Sequence, residues 1–443
     1  MSNSQVTADA STTTTGALSE ERAAERAEVL EKAGLAKKVA PLIAALRSAE
    51  KNALLLDAAE ALEGPARAGI LEANARDLAA GKEAGLTDAL LDRLSLDEER
   101  VAGIADGLRQ VAGLKDPIGE IVGGSVMPNG IRMRKVRVPL GVMGMVYEAR
   151  PNVTVDAFGL AIKSGNVPLL RGSRSARHSN EALVSALQDV VEKHGLPRET
   201  VQLLPCDSHD SVTDLITARG LVDLVIPRGS ARLIQAVVTG ATVPTIETGA
   251  GNCHFYIDGA AEVDQAITLV INGKTRRPSV CNATETVLVD RALSEEQQAH
   301  IIRSLQEAGV SVHGEPAEAE RLGLEGIIPA TEEDWAGEYL SNDIAWAMVD
   351  GVEGALEHIA RYSTGHTEGI STTDTRVAQR FASAVDAAAV MINASTAFTD
   401  GEAYGMGAEI GISTQKLHAR GPMALPELTS TKWILEGEGQ IRP

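Results

Sequence analysis

From about residue 140 onward, short apolar segments alternate with segments of helical periodicity, and this alternation restricts the fold more than any other feature. Helices are predicted over Glu181–His194 and Ser230–Val238, between the apolar segments. Strands that alternate with helices predict an α/β fold with a largely parallel sheet and right-handed crossovers. The segments that read as short buried strands are Gly141–Val146, Val167–Arg171, Val201–Leu204, Leu221–Ile226 and Val243–Glu247.

A second run of the same kind follows. It comprises Thr286–Val289, Gln297–Ala308, Ala345–Met348, Gly354–Tyr362, Thr375–Val385 and Ala389–Ile392. At 443 residues the chain is long enough for two or three domains. A chain of this size buries enough surface to need no disulfide or metal staple.

The region before these strands is predicted to be helical. Pro41 and Pro65 each stand just ahead of a helical segment, a position that tolerates proline. Ser95 begins Ser-Leu-Asp-Glu, which predicts a capping box that opens a helix through Val111. Residues 1–19 are rich in Ser and Thr without Arg or Lys, and we expect a disordered tail there. The helical segments are Arg22–Lys32, Leu42–Leu62, Arg67–Ala79 and Leu86–Leu91.

Asn129-Gly130 is a strong hairpin signal between the helical region and the first strand–helix run. Its second arm, Ile131–Val138, carries four basic residues and is therefore predicted to be an exposed ribbon. Thr431–Leu435 is an isolated strand-like segment near the C-terminus. Because exposed strand edges carry unpaired backbone groups, we expect these segments to pair, within a subunit or across a two-fold axis, and to hold at least a dimer together.

Charge and composition exclude several classes of protein. With 41 Lys+Arg against 61 Asp+Glu, the formal net charge is −20, which argues against nucleic acid or an anionic membrane as the main partner. No apolar stretch reaches the length of about 18 residues that a membrane span needs. We also expect no secretory signal, and three cysteines make no disulfide framework, so a cytoplasmic protein is expected.

Cys281 is the cysteine whose surroundings suit a nucleophile. Its neighbours in Arg-Pro-Ser-Val-Cys-Asn place it in a loop or at a helix start. Near a helix N-terminus the pKa of a thiol is lowered. A lone cysteine is more often a small core residue, and Cys206 fits that interpretation. Cys253 and His254 are adjacent and therefore unsuited to chelate one metal together, so no metal site is expected.

Two loops are candidates for binding a phosphorylated cofactor. Gly229 and Ser230 follow an apolar strand and open a helix, whose N-terminus attracts phosphate. The basic stretch at 171–177 follows another strand and suits the 2′-phosphate of NADP, although a solvated loop is an equal alternative. No G-x-G-x-x-G follows a strand, so the ordinary dinucleotide fingerprint is missing.

The stretch from Asn393 to Gly421 is unusually long for a loop, and long ordered loops are often functional. Its His418 and Arg420 suit contact with an anionic substrate or the capping of a helix.

Several longer strings carry a family resemblance. They are VPLGV at 138–142, YEARPNVT at 147–154, KSGN at 163–166, ETGAGNCH at 247–254, RPSVCN at 277–282 and GAEIGISTQKLHARGP at 407–422. The chain resembles the γ-glutamyl phosphate reductase family of the aldehyde dehydrogenase superfamily, from about residue 25 to the C-terminus. This superfamily binds dinucleotides without G-x-G-x-x-G.

The resemblance implies an aldehyde dehydrogenase-like fold with three parts. A Rossmann-type NADPH-binding domain is expected from residues 20–120 and 141–250, and a catalytic domain from 251–424. A β-hairpin oligomerisation element is expected from 121–140 and 425–443. Residues 1–19 lie outside the resemblance.

The implied reaction is the NADPH-dependent reduction of L-glutamate 5-phosphate to L-glutamate 5-semialdehyde, the second step of proline biosynthesis from glutamate. Cys281 would form a thioester, while Asn152 and the backbone N–H of Cys281 would hold the oxyanion. Glu247 stands where hydrolytic relatives place a base and is assigned here to proton relay or packing. Glu338 resembles the carboxylate that holds the nicotinamide ribose. A homo-oligomer and transient contact with glutamate 5-kinase are also implied.

The chain departs from the family pattern at three places. Ala397 stands where the family often has an arginine, so Arg277, His418 and Arg420 become the expected substrate ligands. The usual Arg-Gly-Gly is Arg171-Gly172-Ser173 here, and a second Gly-Gly is Gly229-Ser230. These residues stay candidates for cofactor binding.

Two other functions remain open. One is a hydrolytic, NAD-dependent aldehyde dehydrogenase for a small semialdehyde, which needs no phosphate. The other is a catalytically silent protein on the same scaffold. Such a protein would be expected to lack Cys281 or Asn152, and both are present.

Overall fold

A computed structural model describes residues 19–442; most of the predicted N-terminal tail lies outside the described residues. The chain begins with helices α1 (Glu20–Ala44), α2 (Ser48–Glu63), α3 (Arg67–Glu83), α4 (Asp88–Leu94) and α5 (Glu98–Gly113). Pro41 lies inside α1, so its prediction as a helix start was wrong. The helix continues because Val39, Ala40 and Ile43 are buried, which offsets the one hydrogen bond that proline cannot donate.

The start of α5 also differs from the prediction. Ser95 ends α4, and Asp97 caps α5 by accepting the Arg100 N–H at 2.7 Å. Aspartate caps helices as well as serine does, so the carboxylate one turn ahead of Arg100 takes the position that was predicted for Ser95.

A three-stranded antiparallel sheet begins with strands β1 (Ile121–Val126) and β2 (Arg132–Pro139). The turn between them contains Asn129-Gly130, with φ of +89° at Gly130, which confirms the predicted hairpin. All six residues of β1 are exposed, and its outer edge has no partner strand within residues 19–442.

A four-stranded sheet follows, all parallel, in the order β5-β4-β3-β6. Most of its strand residues are buried, which explains their apolar runs. The predicted strand Val243–Glu247 was wrong: only Thr245 forms a bridge, to Val225, and Pro244 cannot donate to a ladder. The elements are β3 (Val142–Tyr147), α6 (Asn152–Lys163), β4 (Val167–Arg171), α7 (Arg177–Lys193), β5 (Gln202–Leu203), α8 (Asp210–Thr217), β6 (Leu224–Arg228) and α9 (Ala231–Gly240).

A second parallel sheet has seven strands in the order β10-β9-β11-β8-β7-β12-β13. Strands β7 and β12 were not predicted, because fully buried polar residues such as His254 and Glu368 interrupt their apolar pattern. The elements are β7 (Cys253–Ile257), α10 (Val263–Thr275), β8 (Thr284–Asp290), α11 (Glu295–Glu307), β9 (Ser311–Gly314), α12 (Pro316–Arg321), β10 (Ile328–Pro329), α13 (Glu332–Ala336), β11 (Asp343–Val349), α14 (Gly351–Tyr362), β12 (Thr367–Ser371), α15 (Thr375–Ala384) and β13 (Ala389–Ile392).

The C-terminal segment returns to the hairpin. After the short strands β14 (Ile412–Ser413) and β15 (Gly421–Pro422), strand β16 (Thr429–Glu436) pairs antiparallel with β2. The predicted pairing of Thr431–Leu435 with the ribbon is therefore confirmed, and it occurs within one subunit. Within residues 19–442, no helix combines the length and the apolar character that crossing a bilayer requires.

Candidate active site

Cys281 lies in the loop between α10 and β8, against the backbone of Gly251 ahead of β7. A β-carbon at position 251 would lie 1.4 Å from the Cys281 carbonyl oxygen, so only glycine permits this approach. The buried Cys253 thiol donates to the same carbonyl oxygen at 3.2 Å. Gly251 and Cys253, at the start of β7, thus both contact the Cys281 carbonyl group.

Burial and the charges around Cys281 together set the pKa of its thiol. Burial is the main cause that raises the pKa of Cys281 to about 11; Arg228 opposes this rise, and the carboxylates of Glu409 and Glu338 contribute to it. Of the two predicted positions, the loop is confirmed, and the helix start with its lowered pKa was wrong. The loop holds no helix N-terminus at this position, and desolvation outweighs the one favourable cation.

Arg228 lies at the switch point of the four-stranded sheet, where the strand order changes direction between β3 and β6. Arg228 ends β6 opposite Tyr147 of β3, and Arg150 follows three residues after Tyr147. The Arg228 guanidinium donates to Ile410 O at 3.2 Å. Arg150 and Cys281 lie close enough for their charges to interact. Neither arginine had a predicted role, although Arg150 stands in the motif string YEARPNVT of the sequence analysis.

Asn152 begins α6 and its side chain is exposed. Its Nδ2 donates to Asp156 Oδ2 at 3.0 Å, which holds the amide in place. Burial raises the pKa of Asp156 to about 6 against the lowering effect of this hydrogen bond. Both side chains line a cavity of about 380 Å³ together with Arg93.

The two predicted glutamates are placed differently. Glu338 Oε1 accepts the Gly251 N–H at 2.6 Å, and burial raises the pKa of Glu338. Glu338 therefore reaches the cysteine loop. Glu247 is held by Gln415, which accepts the Glu247 N–H at 3.0 Å and donates to its carboxylate at 3.4 Å. This contact favours the packing interpretation of Glu247 over proton relay.

The predicted 2′-phosphate ligand Arg171 is buried at the end of β4. Its guanidinium donates to Ser208 O at 2.6 Å and to Ser211 Oγ at 3.1 Å, so it is used inside the protein and is not available to a cofactor phosphate. Arg174 is exposed, and no hydrogen bond or ion pair among residues 19–442 involves its guanidinium. Gly172 is required by packing, since a β-carbon there would lie 2.2 Å from Asn180 Nδ2.

Gly229 and Ser230 are exposed at the N-terminus of α9. Ser230 Oγ accepts the Leu233 N–H at 3.4 Å and donates to Glu148 Oε1 at 2.6 Å. A β-carbon at Gly229 would lie 2.7 Å from the Glu148 carboxyl carbon. An exposed helix N-terminus with a glycine approach fits a dinucleotide phosphate. Ser173, beside Arg174, instead accepts the Ser175 N–H at 3.3 Å.

The predicted substrate ligands do not converge. Arg277 is exposed in the cysteine loop, and its guanidinium makes no hydrogen bond or ion pair within residues 19–442. Arg420 pairs with Asp386 at 2.8 Å, and His418 lies 3.2 Å from Glu427 O. The structure therefore leaves Arg277 available, while the other two side chains are engaged within the protein.

The chain is similar to known proteins over most of its length. The aldehyde dehydrogenase family model matches residues 2–323. A γ-glutamyl phosphate reductase from Thermotoga maritima has 43% identity and a TM-score of 0.91, covering 94% of this chain and 100% of its own. That from Saccharomyces cerevisiae has 27% identity and a TM-score of 0.52, covering 93% and 98%. An acetylating aldehyde dehydrogenase from Geobacillus thermoglucosidasius, at 18% identity, TM-score 0.69 and coverage of 96% and 100%, shares the fold.

Proposed function

Since the chain belongs to the aldehyde dehydrogenase family, and within it to the γ-glutamyl phosphate reductases, we propose that it reduces L-glutamate 5-phosphate to L-glutamate 5-semialdehyde with NADPH and releases phosphate. The observation that carries this proposal is the half-buried Cys281 in a loop packed on Gly251, with Arg228 acting on its thiol. We place the step second in the synthesis of proline from glutamate, in the cytoplasm, with transient contact to glutamate 5-kinase.

Cys281 performs the covalent step. Its thiolate sulfur bonds to the acyl carbon of the substrate, the bond from that carbon to the phosphate oxygen breaks, and phosphate leaves with the electron pair. The thioester carbonyl then accepts hydride more readily than a carboxylate does, because no negative charge repels the hydride. Breaking the carbon–sulfur bond afterwards returns the thiolate and releases the aldehyde.

Each of these steps passes through a tetrahedral oxyanion. Asn152 Nδ2 has one N–H committed to Asp156, which leaves the second for the oxyanion, together with the backbone N–H of Cys281. Losing one such donor typically costs ~10²–10³ in rate. Asp156 acts as a positioning residue for Asn152.

The cofactor is proposed to lie along the carboxyl ends of the four-stranded sheet. When bound, NADPH supplies the hydride that reduces the thioester carbonyl. Gly229 and Ser230 would hold its pyrophosphate, and Glu338 its nicotinamide ribose. Of the basic stretch at 171–177, Arg174 remains the proposed ligand of the 2′-phosphate, because its guanidinium is exposed and has no partner within residues 19–442.

Arg277 is the proposed ligand for the substrate α-carboxylate. It stands four residues before Cys281 on an exposed part of the same loop. A guanidinium binds carboxylates through two parallel hydrogen bonds, and Arg277 has no competing carboxylate within residues 19–442.

We also propose that the protein is a homo-oligomer. The free outer edge of β1 and the exposed apolar side chains of Val126, Trp433 and Leu435 favour pairing with a second copy.

The test is the reverse reaction of the purified full-length protein with glutamate semialdehyde, NADP and inorganic phosphate, omitting each in turn. We expect steady NADPH formation only when all three are present. Steady turnover without phosphate would overturn the proposal in favour of the hydrolytic alternative. Equal rates with NAD in place of NADP would overturn its cofactor part.

A further inference from the structure

Arg150 has an unusual environment for an arginine. It is half-buried, yet none of the hydrogen bonds and ion pairs formed among residues 19–442 involves its guanidinium. A guanidinium that loses part of its hydration without gaining a partner is costly, and such a cost is commonly offset by a ligand. The guanidinium of Arg150 is therefore available to bind an anion.

Two further arginines share this region. The charges of Arg228 and Arg93 act on Arg150 and, with burial as the main cause, lower its pKa. Arg228 is fixed by the pairing of β6 with β3, where the Glu148 N–H donates to Arg228 O at 3.2 Å. Arg93 is exposed in the last turn of α4 and lines the cavity that Asn152 and Asp156 also line.

Three carboxyl groups lie near the cluster of Arg93, Arg150 and Arg228, namely Glu148, Asp156 and Glu409. Burial raises the pKa of Asp156 to about 6 and raises that of Glu409, so both ionise less readily than ordinary carboxyl groups. Glu148 faces the cluster but accepts a hydrogen bond from Ser230 Oγ at 2.6 Å. In a chain with a net charge of −20, Arg93, Arg150 and Arg228 bring three cations together near the end of β6.

The packing of side chains around Gly411 relates the cluster to Cys281. A β-carbon at Gly411 would lie 3.0 Å from Arg228 Nη1 and 2.6 Å from Thr248 Cγ2. Thr248 lies three residues before Gly251, which contacts the Cys281 carbonyl. Arg228 is therefore packed against the segment that supports the cysteine loop.

We propose that Arg150 and Arg228, with Arg93 at the rim, form the subsite for the phosphate group of the acyl phosphate, a role that rests on the proposed function. The phosphate is joined through one oxygen to the carbon that Cys281 attacks, whereas the substrate α-carboxylate lies four carbons farther away. Cations that act on the Cys281 thiol therefore face the phosphate. Guanidinium groups suit it, since they match phosphate oxygens in pairs.

The subsite serves both directions of the reaction. In reduction it holds the leaving phosphate as the carbon–oxygen bond breaks and the electron pair moves to that oxygen. In the reverse direction it holds inorganic phosphate while a phosphate oxygen bonds to the thioester carbon and the carbon–sulfur bond breaks, returning the thiolate to Cys281.

The experiment measures the reverse reaction of Arg150→Gln, Arg150→Lys and Arg228→Lys in the full chain. We expect the KM for inorganic phosphate to rise about tenfold or more, since charge-assisted hydrogen bonds are worth about 1.5–3 kcal/mol. The KM for the semialdehyde stays unchanged, and each variant still gives the single burst of NADPH that precedes phosphate attack. The control Arg376→Gln removes one exposed arginine in the first turn of α15 and keeps the wild-type KM for phosphate.

Three outcomes separate the possibilities. A wild-type enzyme that turns over without phosphate refutes the proposed function itself. Wild-type phosphate dependence with an unchanged phosphate KM in all three variants refutes the subsite alone. A rise in the KM for semialdehyde instead assigns the cluster to the α-carboxylate and also refutes it.

A second readout is independent of turnover. Inorganic phosphate should slow alkylation of Cys281 by iodoacetamide in the wild-type protein and in Arg376→Gln, but not in Arg150→Lys. The lysine variant keeps the charge and helps to preserve the fold, which a melting curve checks. Equal protection in all three proteins contradicts the subsite.

Discussion

Gly251 and Cys281 are in backbone contact: a β-carbon at position 251 would lie 1.4 Å from the Cys281 carbonyl oxygen. The Gly251 N–H donates at the same time to Glu338 Oε1 at 2.6 Å. One glycine thus supports the proposed nucleophile and the proposed cofactor carboxylate together.

Replacing that glycine should therefore move the nucleophile. We expect Gly251→Ala to lose roughly 10²-fold in kcat, because a displacement of about 1 Å at a reacting group costs this much. The matched control is Gly69→Ala in α3, where the residue is exposed, a β-carbon meets nothing within 4 Å, and full activity should be kept. Steady-state kinetics and melting temperatures of both variants make the comparison; wild-type kcat in Gly251→Ala contradicts the contact.

The three cysteines should differ in a graded way. Cys281→Ser should abolish turnover and the NADPH burst, whereas Cys206→Ala should leave both unchanged. Cys253→Ala should cause a partial loss, since the Cys281 carbonyl loses a hydrogen bond at 3.2 Å. Burst amplitudes measure all three, and a normal burst without Cys281 would refute its role.

The reactivity of Cys281 should depend on pH in a defined direction. Burial raises the pKa of its thiol to about 11 from an ordinary 9.0, so the thiolate gains population only as pH rises toward that value. At pH 8 about one thiol in a thousand is ionised. Iodoacetamide alkylation rates should rise throughout the range from pH 7 to 11. A plateau below pH 9 would contradict the raised pKa of the Cys281 thiol.

Two charge variants should shift this profile in opposite directions. Arg228→Gln removes the cation that lowers the thiol pKa and should slow alkylation at pH 8. Glu409→Gln removes a carboxylate that raises it and should accelerate alkylation. Equal rates in the two variants would show that neither charge acts on the thiol.

Cofactor preference should depend on Arg174 rather than on Arg171. We expect the protein to bind NADPH more tightly than NADH, and Arg174→Gln to lose about tenfold in NADPH affinity, as a charge-assisted hydrogen bond worth about 1.5–3 kcal/mol implies. NADH affinity should not change, because NADH has no 2′-phosphate. Isothermal titration with both cofactors measures this, and equal wild-type affinities would refute the charge argument.

Assembly should depend on the three-stranded sheet. Val126→Asp and Leu435→Asp place charges on side chains that are 68% and 55% exposed, and should yield a monomer if this face binds a second copy. Ile441→Asp, 86% exposed and outside the sheet, is the control. Light scattering at micromolar concentration reads the mass; a monomeric wild-type protein contradicts the proposed oligomer.

Much of the fold could be predicted because the relevant signals are local. Apolar runs located β3, β4 and β13 closely, and Asn129-Gly130 located the hairpin turn. β7 and β12 escaped detection because His254 and Glu368 are buried polar residues, whose contact with each other is formed only by tertiary packing. Pro41 was assigned to the wrong side of a helix boundary for the same reason, since burial of its neighbours keeps α1 intact.

The sequence by itself determined the α/β class, the hairpin, the family resemblance and Cys281 as the candidate nucleophile, because periodicity, turn chemistry and motif strings are written in neighbouring residues. Tertiary structure decided which arginines are available and what state the thiol adopts. Arg171 ends one parallel strand and Arg150 follows another. The Arg171 guanidinium donates hydrogen bonds to Ser208 and Ser211, while the Arg150 guanidinium has no partner among residues 19–442. The physical reason is that burial and electrostatic partners are set by segments distant in the chain, such as those carrying Arg228, Cys281 and Glu409, and no local pattern contains that information.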